Sequence, residues 1–480
     1  MMKKKVTVAH VSLCFGDAEL KVTFMPLESL YLVATLQQAG YETDFRDYQL
    51  ASLHYDDPQD PETFATQYLK DSADILMVLA TNDAFPVAIA GLRRYKELHP
   101  ETTIILGGVA PTGVSEAIIK RFPFVDIVVR GEYKLKGESA SERTFLEVLE
   151  HLGNGLENIE GVVYRDRGEV KVTSPKPRIK DMSDLPLPAY DVVDLSAYDE
   201  VNIRASWGCA FTCAYCDRHR QGKVVNRTIE SIVEEIKMLR YKYGQKHVFL
   251  YDEIFPLSRH RTLEFCAKLQ EEKVDVKWSC VSRIDTIDEE ILAAMAKAGC
   301  QYIYYGVESG SDAVLEKVKG FHFTPAPRRL VSSDADSKQE KIGGYTAAQA
   351  LETIKTSLKY MNVGAFFIYG FPFETIDDFH MTVDVIEKVQ ELGVYPTVYA
   401  LSPHPLTQIY QDFNHQLKFD RTLWEANWPK YLSNPGSREI IADLIQSYPD
   451  VFPGFYYCDP NMMTKFQEVQ RRGWESHFAD

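Results

Sequence analysis

The sequence predicts an α/β protein in which a doubly wound, Rossmann-like parallel sheet precedes a partial, TIM-like barrel of six βα units and a small helical C-terminal cap. Short apolar runs alternate with helix-like segments over residues 1–165 and again over residues 201–403, at the spacing of βαβ units. The strand-like runs are continuously rich in Val, Ile and Leu, as in parallel strands covered on both faces. A chain of 480 residues has room for two to four domains of roughly 100–200 residues each.

The N-terminal domain is assigned to residues 1–165. In a doubly wound sheet, ligands bind beyond the carboxyl ends of the strands, which here places the binding loops after residues 14, 80, 106 and 129. These loops contain small and polar residues that we take as candidate ligand contacts, namely Gly16, Thr81, Asn82, Gly107, Gly108, Gly131 and Glu132.

Residues 166–200 are rich in Pro, Asp and Lys with little periodicity, which predicts a linker. The second βα series follows, with strands expected at 201–208, 247–254, 276–284, 301–309, 362–370 and 394–402. Its helices are expected to begin at capping boxes formed by Thr286 with Glu289, Thr346 with Gln349 and Thr375 with Asp378. Six βα units fall short of the eight of a full barrel and predict a partial one.

Two segments depart from this alternation. Residues 320–345 insert a long polar segment between the fourth barrel strand and its helix, as either a solvated excursion or a functional loop. Residues 404–480 are helical in pattern and contain several aromatic residues, so we expect a small C-terminal cap packed on the barrel.

Composition narrows the class of protein. The chain has 45% hydrophobic and 25% charged residues, as soluble globular domains do, and its net charge of -16 disfavours nucleic acid as a partner. We find no apolar run of the ~18 residues that a membrane span requires, and no export signal, so we expect a cytoplasmic protein. Eight cysteines are too few for a disulfide framework in a chain of this length.

Three of those cysteines, Cys209, Cys213 and Cys216, stand in one loop directly after the first barrel strand. Three thiolates on one tight loop can ligate three irons of a cubane cluster and leave the fourth iron open to a substrate, whereas a closed cluster takes four cysteines. A zinc site with His219 as the fourth ligand is the alternative. Isolated structural thiols are a further interpretation, and it suits the strand-like surroundings of Cys266, Cys280 and Cys300 better.

The C-x3-C-x2-C loop, with Tyr215 before its last cysteine, resembles the radical S-adenosylmethionine (SAM) superfamily. The resemblance implies a 4Fe-4S cluster on the three cysteines, SAM on the open iron, and reductive cleavage to a deoxyadenosyl radical that abstracts hydrogen. It extends to residues at the carboxyl ends of successive barrel strands, where barrel active sites are built. These implied SAM contacts are Tyr215, Tyr251, Asp252, Glu253, Ser282, Arg283, Glu308, Ser309 and Gly370.

The chemistry of these side chains agrees with such roles. Asp252 or Glu253 can accept hydrogen bonds from the ammonium group of SAM, and Arg283 can bind its carboxylate. Glu308 and Ser309 suit the ribose hydroxyls. Tyr304 and Tyr305 alternate along the fourth strand, so one of them is expected to face the barrel interior, but the sequence identifies no catalytic residue beyond the cluster ligands.

The domain order resembles the cobalamin-binding branch of the superfamily, over about residues 5–410. Residues 1–200 contain only Cys14, whereas methylthiotransferases carry three N-terminal cysteines. The resemblance implies cobalamin against the carboxyl edge of the N-terminal sheet. The sequence lacks D-x-H-x-x-G, so histidine-ligated cobalt is not supported, and a domain that keeps the fold without cobalamin is the alternative.

The reaction that this branch implies is methyl transfer to an unactivated carbon of a small molecule or of a natural-product or lipid intermediate. Oxidative cyclisation and radical rearrangement are alternatives within the same architecture. A non-catalytic iron–sulfur partner or maturation protein is the alternative from another class. The enzyme hypotheses require a low-potential electron donor such as flavodoxin or ferredoxin.

Overall fold

The computed structural model describes residues 5–13, 22–131, 141–176, 182, 185–217, 224–319, 344–427, 434–474 and 476–478. The chain divides into two compact units. Unit 1 contains residues 1–199 and 419–456, and unit 2 contains residues 200–418 and 457–479.

The described strands follow one another along both units. They are β1 (Val6–Val11), β2 (Val22–Phe24), β3 (Thr43–Asp47), β4 (Ile75–Ala80), β5 (Thr103–Gly107), β6 (Ile127–Val129), β7 (Val162–Asp166), β8 (Glu169–Val172), β9 (Tyr198–Glu200), β10 (Asn202–Ile203), β11 (Ser206–Trp207), β12 (Val225–Asn226), β13 (His247–Leu250), β14 (Lys277–Ser282), β15 (Cys300–Glu308), β16 (Asn362–Tyr369), β17 (Tyr395–Ala400) and β18 (Ser476–Phe478).

The described α-helices lie between these strands and in the C-terminal segment. They are α1 (Leu27–Gln38), α2 (Tyr48–Ser52), α3 (Pro61–Thr63), α4 (Phe85–Leu98), α5 (Val109–Gly113), α6 (Ser115–Arg121), α7 (Ser141–His151), α8 (Ile229–Tyr241), α9 (Arg259–Glu271), α10 (Glu289–Lys297), α11 (Asp312–Val318), α12 (Ala347–Ser357), α13 (Ile376–Glu391), α14 (Gln408–Phe413), α15 (Arg421–Asn427), α16 (Pro435–Ser447) and α17 (Met462–Arg471). Within the described ranges, none of them combines the length and apolar character that a bilayer crossing requires.

The sheet of unit 1 has the order β3-β1-β4-β5-β6-β7-β8. Its first five strands are parallel, and the last two are antiparallel to their neighbours. Every residue of β1 and β4 is buried, which explains their continuous apolar sequences. The strand order reverses between β1 and β4, and the carboxyl ends of these two strands form the crevice in which doubly wound folds bind ligands.

The hairpin of β7 and β8 extends this sheet into residues that the sequence assigned to the linker. Arg167 and Gly168 have φ values of 48° and 86°, which are those of a tight turn matched to the twist of a hairpin. The linker prediction missed β8 because a non-glycine residue with positive φ carries no turn signal in sequence.

The sheet of unit 2 is parallel throughout, with the order β10-β13-β14-β15-β16-β17-β18. Among the described strands, β10 and β18 are the edges and do not pair with each other, so the predicted partial barrel is confirmed as an open sheet. The sequence predicted six of its strands and missed β18, a short strand near the C-terminus.

The first predicted barrel strand, residues 201–208, is divided in two. Only β10 joins the main sheet, while β11 pairs antiparallel with β12. The break coincides with Asp252, whose carboxylate accepts hydrogen bonds from the Ala205 amide at 2.7 Å and the Ser206 hydroxyl at 2.5 Å. The Asp252 carboxylate thus takes the place of a neighbouring strand as hydrogen-bond acceptor for the chain just before the cysteine loop.

Two of the three predicted capping boxes are confirmed. Thr346 and Gln349 cap α12, and Thr375 and Asp378 cap α13, with both reciprocal hydrogen bonds present in each box. The box predicted for α10 was wrong, because Asp288 caps that helix by accepting a hydrogen bond from the amide of Ile291. Asp is a strong N-cap residue, and here it stands directly before the helix.

The segment expected to form one C-terminal cap is divided between the units. Residues 419–456 belong to unit 1, where Phe452 packs against Phe85 with ring centroids 5.4 Å apart. Residues 457–479 belong to unit 2. Of the predicted insert 320–345, only residues 344 and 345 lie within the described residues.

Helix α17 is attached to unit 2 by a fully buried group of charges. Lys465 Nζ donates to Glu374 Oε2 at 2.8 Å and to Asp459 Oδ2 at 2.5 Å, and all three side chains are buried. Glu374 Oε2 also accepts a hydrogen bond from the Gly370 amide at 2.9 Å. The lysine therefore holds the loop after β16 to the C-terminal helix.

We expect Lys465→Met to lower the free energy of unfolding by about 3–5 kcal/mol, because it leaves two carboxylates buried without their cation. Urea unfolding followed by circular dichroism measures the change. Lys355→Met is the matched control, since Lys355 is half exposed and pairs with Glu352 across one helical turn. Equal unfolding midpoints for the two variants would contradict this account.

Candidate active site

The predicted cluster loop, residues 208–217, follows β11 without regular secondary structure of its own. It is held by its backbone at Ala214, whose amide donates to the Val318 carbonyl at 2.9 Å and whose carbonyl accepts from the Ile409 amide at 3.1 Å. These two hydrogen bonds attach the middle of the loop to the end of α11 and to the start of α14.

None of the three loop cysteines forms a disulfide bond with a described residue. Cys209 is buried, whereas Cys213 and Cys216 are partly exposed. Burial raises the pKa of Cys209 to about 12, so this thiol is protonated at neutral pH when no metal is bound. Because thiolates are the ligands of iron, cluster assembly must release that proton.

A single metal ion and an iron–sulfur cluster place different demands on the three cysteines. Among the described residues, no three His, Cys, Asp or Glu side chains are placed to hold one ion. A tetrahedral zinc site requires donors that converge on one point, whereas in a cubane cluster each cysteine binds a different iron. The alternative fourth zinc ligand, His219, lies outside the described residues.

Arg283 approaches this loop from the end of β14. Its guanidinium lies 3.8 Å from the centroid of the Phe211 ring, and its Nη1 is 3.4 Å from Cys213 Sγ. Asp285 holds the same guanidinium through two hydrogen bonds of 2.8 Å. A buried cation beside a cysteine sulfur favours the thiolate that a cluster needs.

Glu308, at the end of β15, lies next to Tyr215 of the loop. Its Oε1 atom accepts a hydrogen bond from the Tyr215 hydroxyl at 2.6 Å and another from Lys319 Nζ at 2.8 Å. The sequence predicted the glutamate and the tyrosine but missed Lys319. The structure thus brings the loop and the fourth strand end together through one carboxylate oxygen.

Both acids after β13 are occupied by protein groups. Besides the contacts of Asp252 described above, Glu253 accepts hydrogen bonds from Arg204 at 3.1 Å and from the Gly208 amide at 3.0 Å. Burial raises the pKa of Asp252 to about 6, although its hydrogen bonds oppose the shift. The carboxylates of Asp252 and Glu253 therefore support the backbone where it enters the cluster loop.

The remaining predicted SAM contacts occupy different surroundings. The Ser282 hydroxyl lies 3.2 Å from that of Thr286, and the Ser309 hydroxyl lies 3.0 Å from that of Thr382, on α13. Both serines are buried. Tyr251 lies under the Arg204 guanidinium, 5.3 Å from its ring centroid. The Gly370 amide donates to Glu374, as described above.

Tyr304 faces the inner side of the open barrel. The neighbouring Tyr305 points to the helix layer, since its hydroxyl lies 2.8 Å from that of Ser357 on α12, and successive strand residues point in opposite directions. Tyr304 stacks on Tyr302 at 4.6 Å and on Phe366 at 5.6 Å between ring centroids. Tyr399 continues this inner aromatic row at 6.0 Å from Phe366.

The three cysteines Cys266, Cys280 and Cys300 lie close to one another, whereas the sequence suggested isolated thiols. Cys280 and Cys300 lie on the adjacent strands β14 and β15, and Cys266 of α9 lies within electrostatic range of both. All three are buried, and burial raises the pKa of Cys266 to about 12. Such thiols behave as small apolar residues.

In unit 1, the predicted ligand loops follow the carboxyl ends of the parallel strands. The Thr81 hydroxyl and the Leu13 amide both donate to Asp83, a partly buried carboxylate at the β1/β4 crevice that the sequence analysis missed. Burial raises the pKa of Asp83. Asn82 lies in the same loop, whereas Gly16 and Glu132 are outside the described residues.

The glycine-containing loops lie at the ends of β5 and β6. Gly108 has a φ of 100°, and a Cβ atom there would lie 2.7 Å from the carbonyl oxygen of Ala80, at the end of β4. Gly107 precedes it at the end of β5. The Thr112 hydroxyl joins the two loops, because it donates to the Gly108 carbonyl at 2.7 Å and accepts from the Gly131 amide at 2.9 Å.

Two segments of the chain match known families. Residues 205–386 match the radical SAM superfamily, and residues 15–139 match the B12 binding domain. The first segment contains the cysteine loop and the ends of β13 to β16. The second contains β4, β5 and β6 and the loops that follow them, but not β1.

The chain is similar to several known proteins. An uncharacterized methyltransferase from Pyrococcus horikoshii is 27% identical over 75% of this chain and 73% of its own length. An anaerobic magnesium-protoporphyrin IX monomethyl ester cyclase from Cereibacter sphaeroides is 25% identical over 92% of this chain and 69% of its own length.

Among solved structures, the radical SAM methyltransferase TsrM from Kitasatospora setae, with cobalamin and a 4Fe-4S cluster bound, has the same fold. The TM-score is 0.66 at 14% identity, and the match covers 96% of this chain and 84% of that one.

We expect the free energy of unfolding to vary with pH because the carboxyl group of Asp252 is buried. Its folded pKa of about 6 lies above the ordinary 3.8, so its contribution to stability is complete below pH 3.8 and is lost as the pH rises through 6. The Asp252→Asn variant has no carboxyl group to titrate at this position, so it does not lose stability there as the pH rises. Its stability relative to wild type should therefore rise by about 3 kcal/mol from about pH 4 to pH 7.

Urea unfolding of both proteins across this pH range measures the difference. Asp275→Asn is the control, because Asp275 is exposed and its hydrogen bond with Arg240 lowers its pKa, so any change has the opposite sign. A relative stability of Asp252→Asn that is constant with pH would contradict the assignment.

Proposed function

The chain belongs to the radical SAM superfamily and contains a B12 binding domain, and from this premise we propose that it is a cobalamin-dependent methyltransferase acting on an unactivated carbon. The proposed substrate is a small molecule, such as a natural-product or lipid intermediate. The observation that carries the proposal is the loop of three cysteines, held at the carboxyl ends of the barrel strands between Arg283 and Glu308.

When bound, the cluster supplies the electron that cleaves SAM to a deoxyadenosyl radical, and cobalamin carries the methyl group. In our proposal Cys209, Cys213 and Cys216 hold three irons. Arg283 places positive charge beside the sulfur of Cys213 and would orient this ligand of the cluster. Tyr215 aligns Glu308, whose carboxylate we assign to the ribose hydroxyls of SAM.

For Asp252 and Glu253 we propose roles other than the binding of the SAM ammonium group that the sequence suggested. Both carboxylate oxygens of Asp252 and of Glu253 already accept hydrogen bonds from the chain. We therefore propose that they set the path of the backbone into the cluster loop and do not themselves receive the ammonium group of SAM. Tyr251, Ser282, Ser309 and Gly370 remain proposed contacts.

For cobalamin, we propose the crevice of unit 1 and its loops, with Thr81, Asn82, Gly107, Gly108 and Gly131 in contact with the corrin or its nucleotide tail. Gly16 and Glu132 complete the proposed set. The absence of side chains at the glycines lets a large planar ligand approach the backbone.

The electron donor is proposed to be a reduced flavodoxin or ferredoxin, and the location the cytoplasm, where thiols remain reduced. No nucleic acid partner is proposed, because the net charge of -16 opposes binding to phosphates.

A second candidate function is oxidative ring formation on a planar macrocycle. The inner aromatic row of Tyr302, Tyr304, Phe366 and Tyr399 favours it, since stacked aromatic side chains bind planar conjugated ligands well. The similarity to the cyclase of Cereibacter sphaeroides, which extends over 92% of this chain, also supports it.

We expect wild type, reduced anaerobically with SAM and cobalamin, to form deoxyadenosine, and Cys213→Ala to form none because one iron loses its ligand. Liquid chromatography with mass detection measures deoxyadenosine and S-adenosylhomocysteine, which only methyl transfer produces. Cys266→Ala, outside the loop, is the control and should retain both products. Deoxyadenosine without S-adenosylhomocysteine would favour the cyclase candidate, and deoxyadenosine from Cys213→Ala would contradict both.

We expect Gly108→Ala to lower the cobalt content of protein purified anaerobically from cells supplied with cobalamin, while its iron content is unchanged. The added Cβ pushes against the carbonyl of Ala80, at the end of β4. Gly153→Ala is the matched control, because Gly153 also has a positive φ, of 88°, but no heavy atom lies within 4 Å of its Cβ position. Equal cobalt in the two variants, measured by elemental analysis, would argue against this crevice.

A further inference from the structure

We infer that Lys319, together with Tyr215, is a positioning residue that holds Glu308 in one orientation for SAM and links the cluster loop to the end of β15. This inference rests on the proposed function, which assigns Glu308 to the ribose. Lys319 itself has no assigned role in binding cofactor or substrate.

Within the described ranges, the carboxylate of Glu308 is held through one of its two oxygens. Tyr215 and Lys319 both donate to Oε1, and no described residue donates to Oε2. The side chains of Lys319 and Glu308 are 4% and 7% exposed, so water does not compete effectively for their ion pair. The second oxygen is thereby left to accept hydroxyl groups from a ligand.

The ammonium group of Lys319 is enclosed by two aromatic rings. Its Nζ lies 5.6 Å from the ring centroid of Tyr215 and 5.7 Å from that of Tyr345, distances at which a cation is attracted to a ring. The Tyr345 hydroxyl donates to the Gly306 carbonyl at 2.5 Å, two residues before Glu308. The lysine therefore has one accessible orientation.

The backbone conformation at Glu308 indicates that the surrounding structure holds the glutamate in its orientation. Glu308 has a φ of 65°, a left-handed conformation that costs a non-glycine residue about 1–3 kcal/mol. The pairing of β15 with β16 also shifts register between Gly306 and Glu308. A Cβ atom on Gly306 would lie 2.3 Å from Glu308 Oε1, so the side chain folds back over a position that glycine keeps open.

A purely structural role explains these contacts less well. A buried ion pair contributes little net stability compared with apolar packing, because removing both charges from water offsets their attraction. The same lysine lies near Cys213 as well as Glu308, within range of an electrostatic interaction with its sulfur. One cation thus acts on both the cluster loop and the carboxylate.

The test compares Lys319→Met with wild type after anaerobic cluster reconstitution. We expect equal iron content, a Kd for SAM raised about tenfold to a hundredfold, and a smaller SAM-induced change in the electron paramagnetic resonance spectrum of the reduced cluster. Lys317→Met is the matched control, because Lys317 is an exposed residue in the last turn of α11, the helix that Lys319 caps. Lys319→Arg, which keeps the charge, should recover part of the affinity.

A wild-type Kd and spectral response in Lys319→Met would overturn the inference. If that variant does not retain its cluster, Tyr215→Phe decides the question, since it keeps every charge and removes one donor to Oε1. It should raise the Kd for SAM about three- to thirtyfold, and a wild-type Kd would again overturn the inference. Failure of the wild-type protein to bind iron or cleave SAM would instead overturn the proposed function.

Discussion

The attachment of the cluster loop through the backbone of Ala214 is the constraint on which the proposed active site depends. The loop has no regular secondary structure, so its hydrogen bonds to Val318 and Ile409 set where its three thiols lie. With Ala214 held, Tyr215 reaches Glu308 and Phe211 lies against Arg283. Two backbone hydrogen bonds therefore fix the loop against α11 and α14, the helices that follow β15 and β17 in the chain.

The sequence was informative where function follows from periodicity and strand direction. Buried parallel strands are continuous apolar runs, and their carboxyl ends must meet at one edge, so the cysteine loop, Arg283 and Glu308 could be assigned to neighbouring strand ends. Lys319 could not be found in this way, because it caps a helix and its role depends on a side-chain contact. The division of the first barrel strand depends similarly on Asp252, whose partners lie more than forty residues away in sequence.

The charged side chains at this site also have partners within the chain. Asp252, Glu253 and Arg283 were each matched to a charged group of SAM, yet both acids are satisfied by amides, a hydroxyl and Arg204. Buried charges require partners, and the chain supplies them first where the loop needs support. Arg283 differs because Asp285 occupies two of its nitrogens while a third faces a cysteine sulfur.

The two proposed reactions place different demands on the inner face of the barrel. Either reaction requires that the substrate carbon be held in one orientation while hydrogen is removed, because a carbon radical that can move reacts unselectively. The row from Tyr302 to Tyr399 offers large rigid faces with few rotatable bonds, which hold a planar ligand at little entropic cost. A planar macrocycle, as in the second candidate function, would contact this row, whereas an aliphatic substrate of the proposed methyl transfer would leave it largely unused.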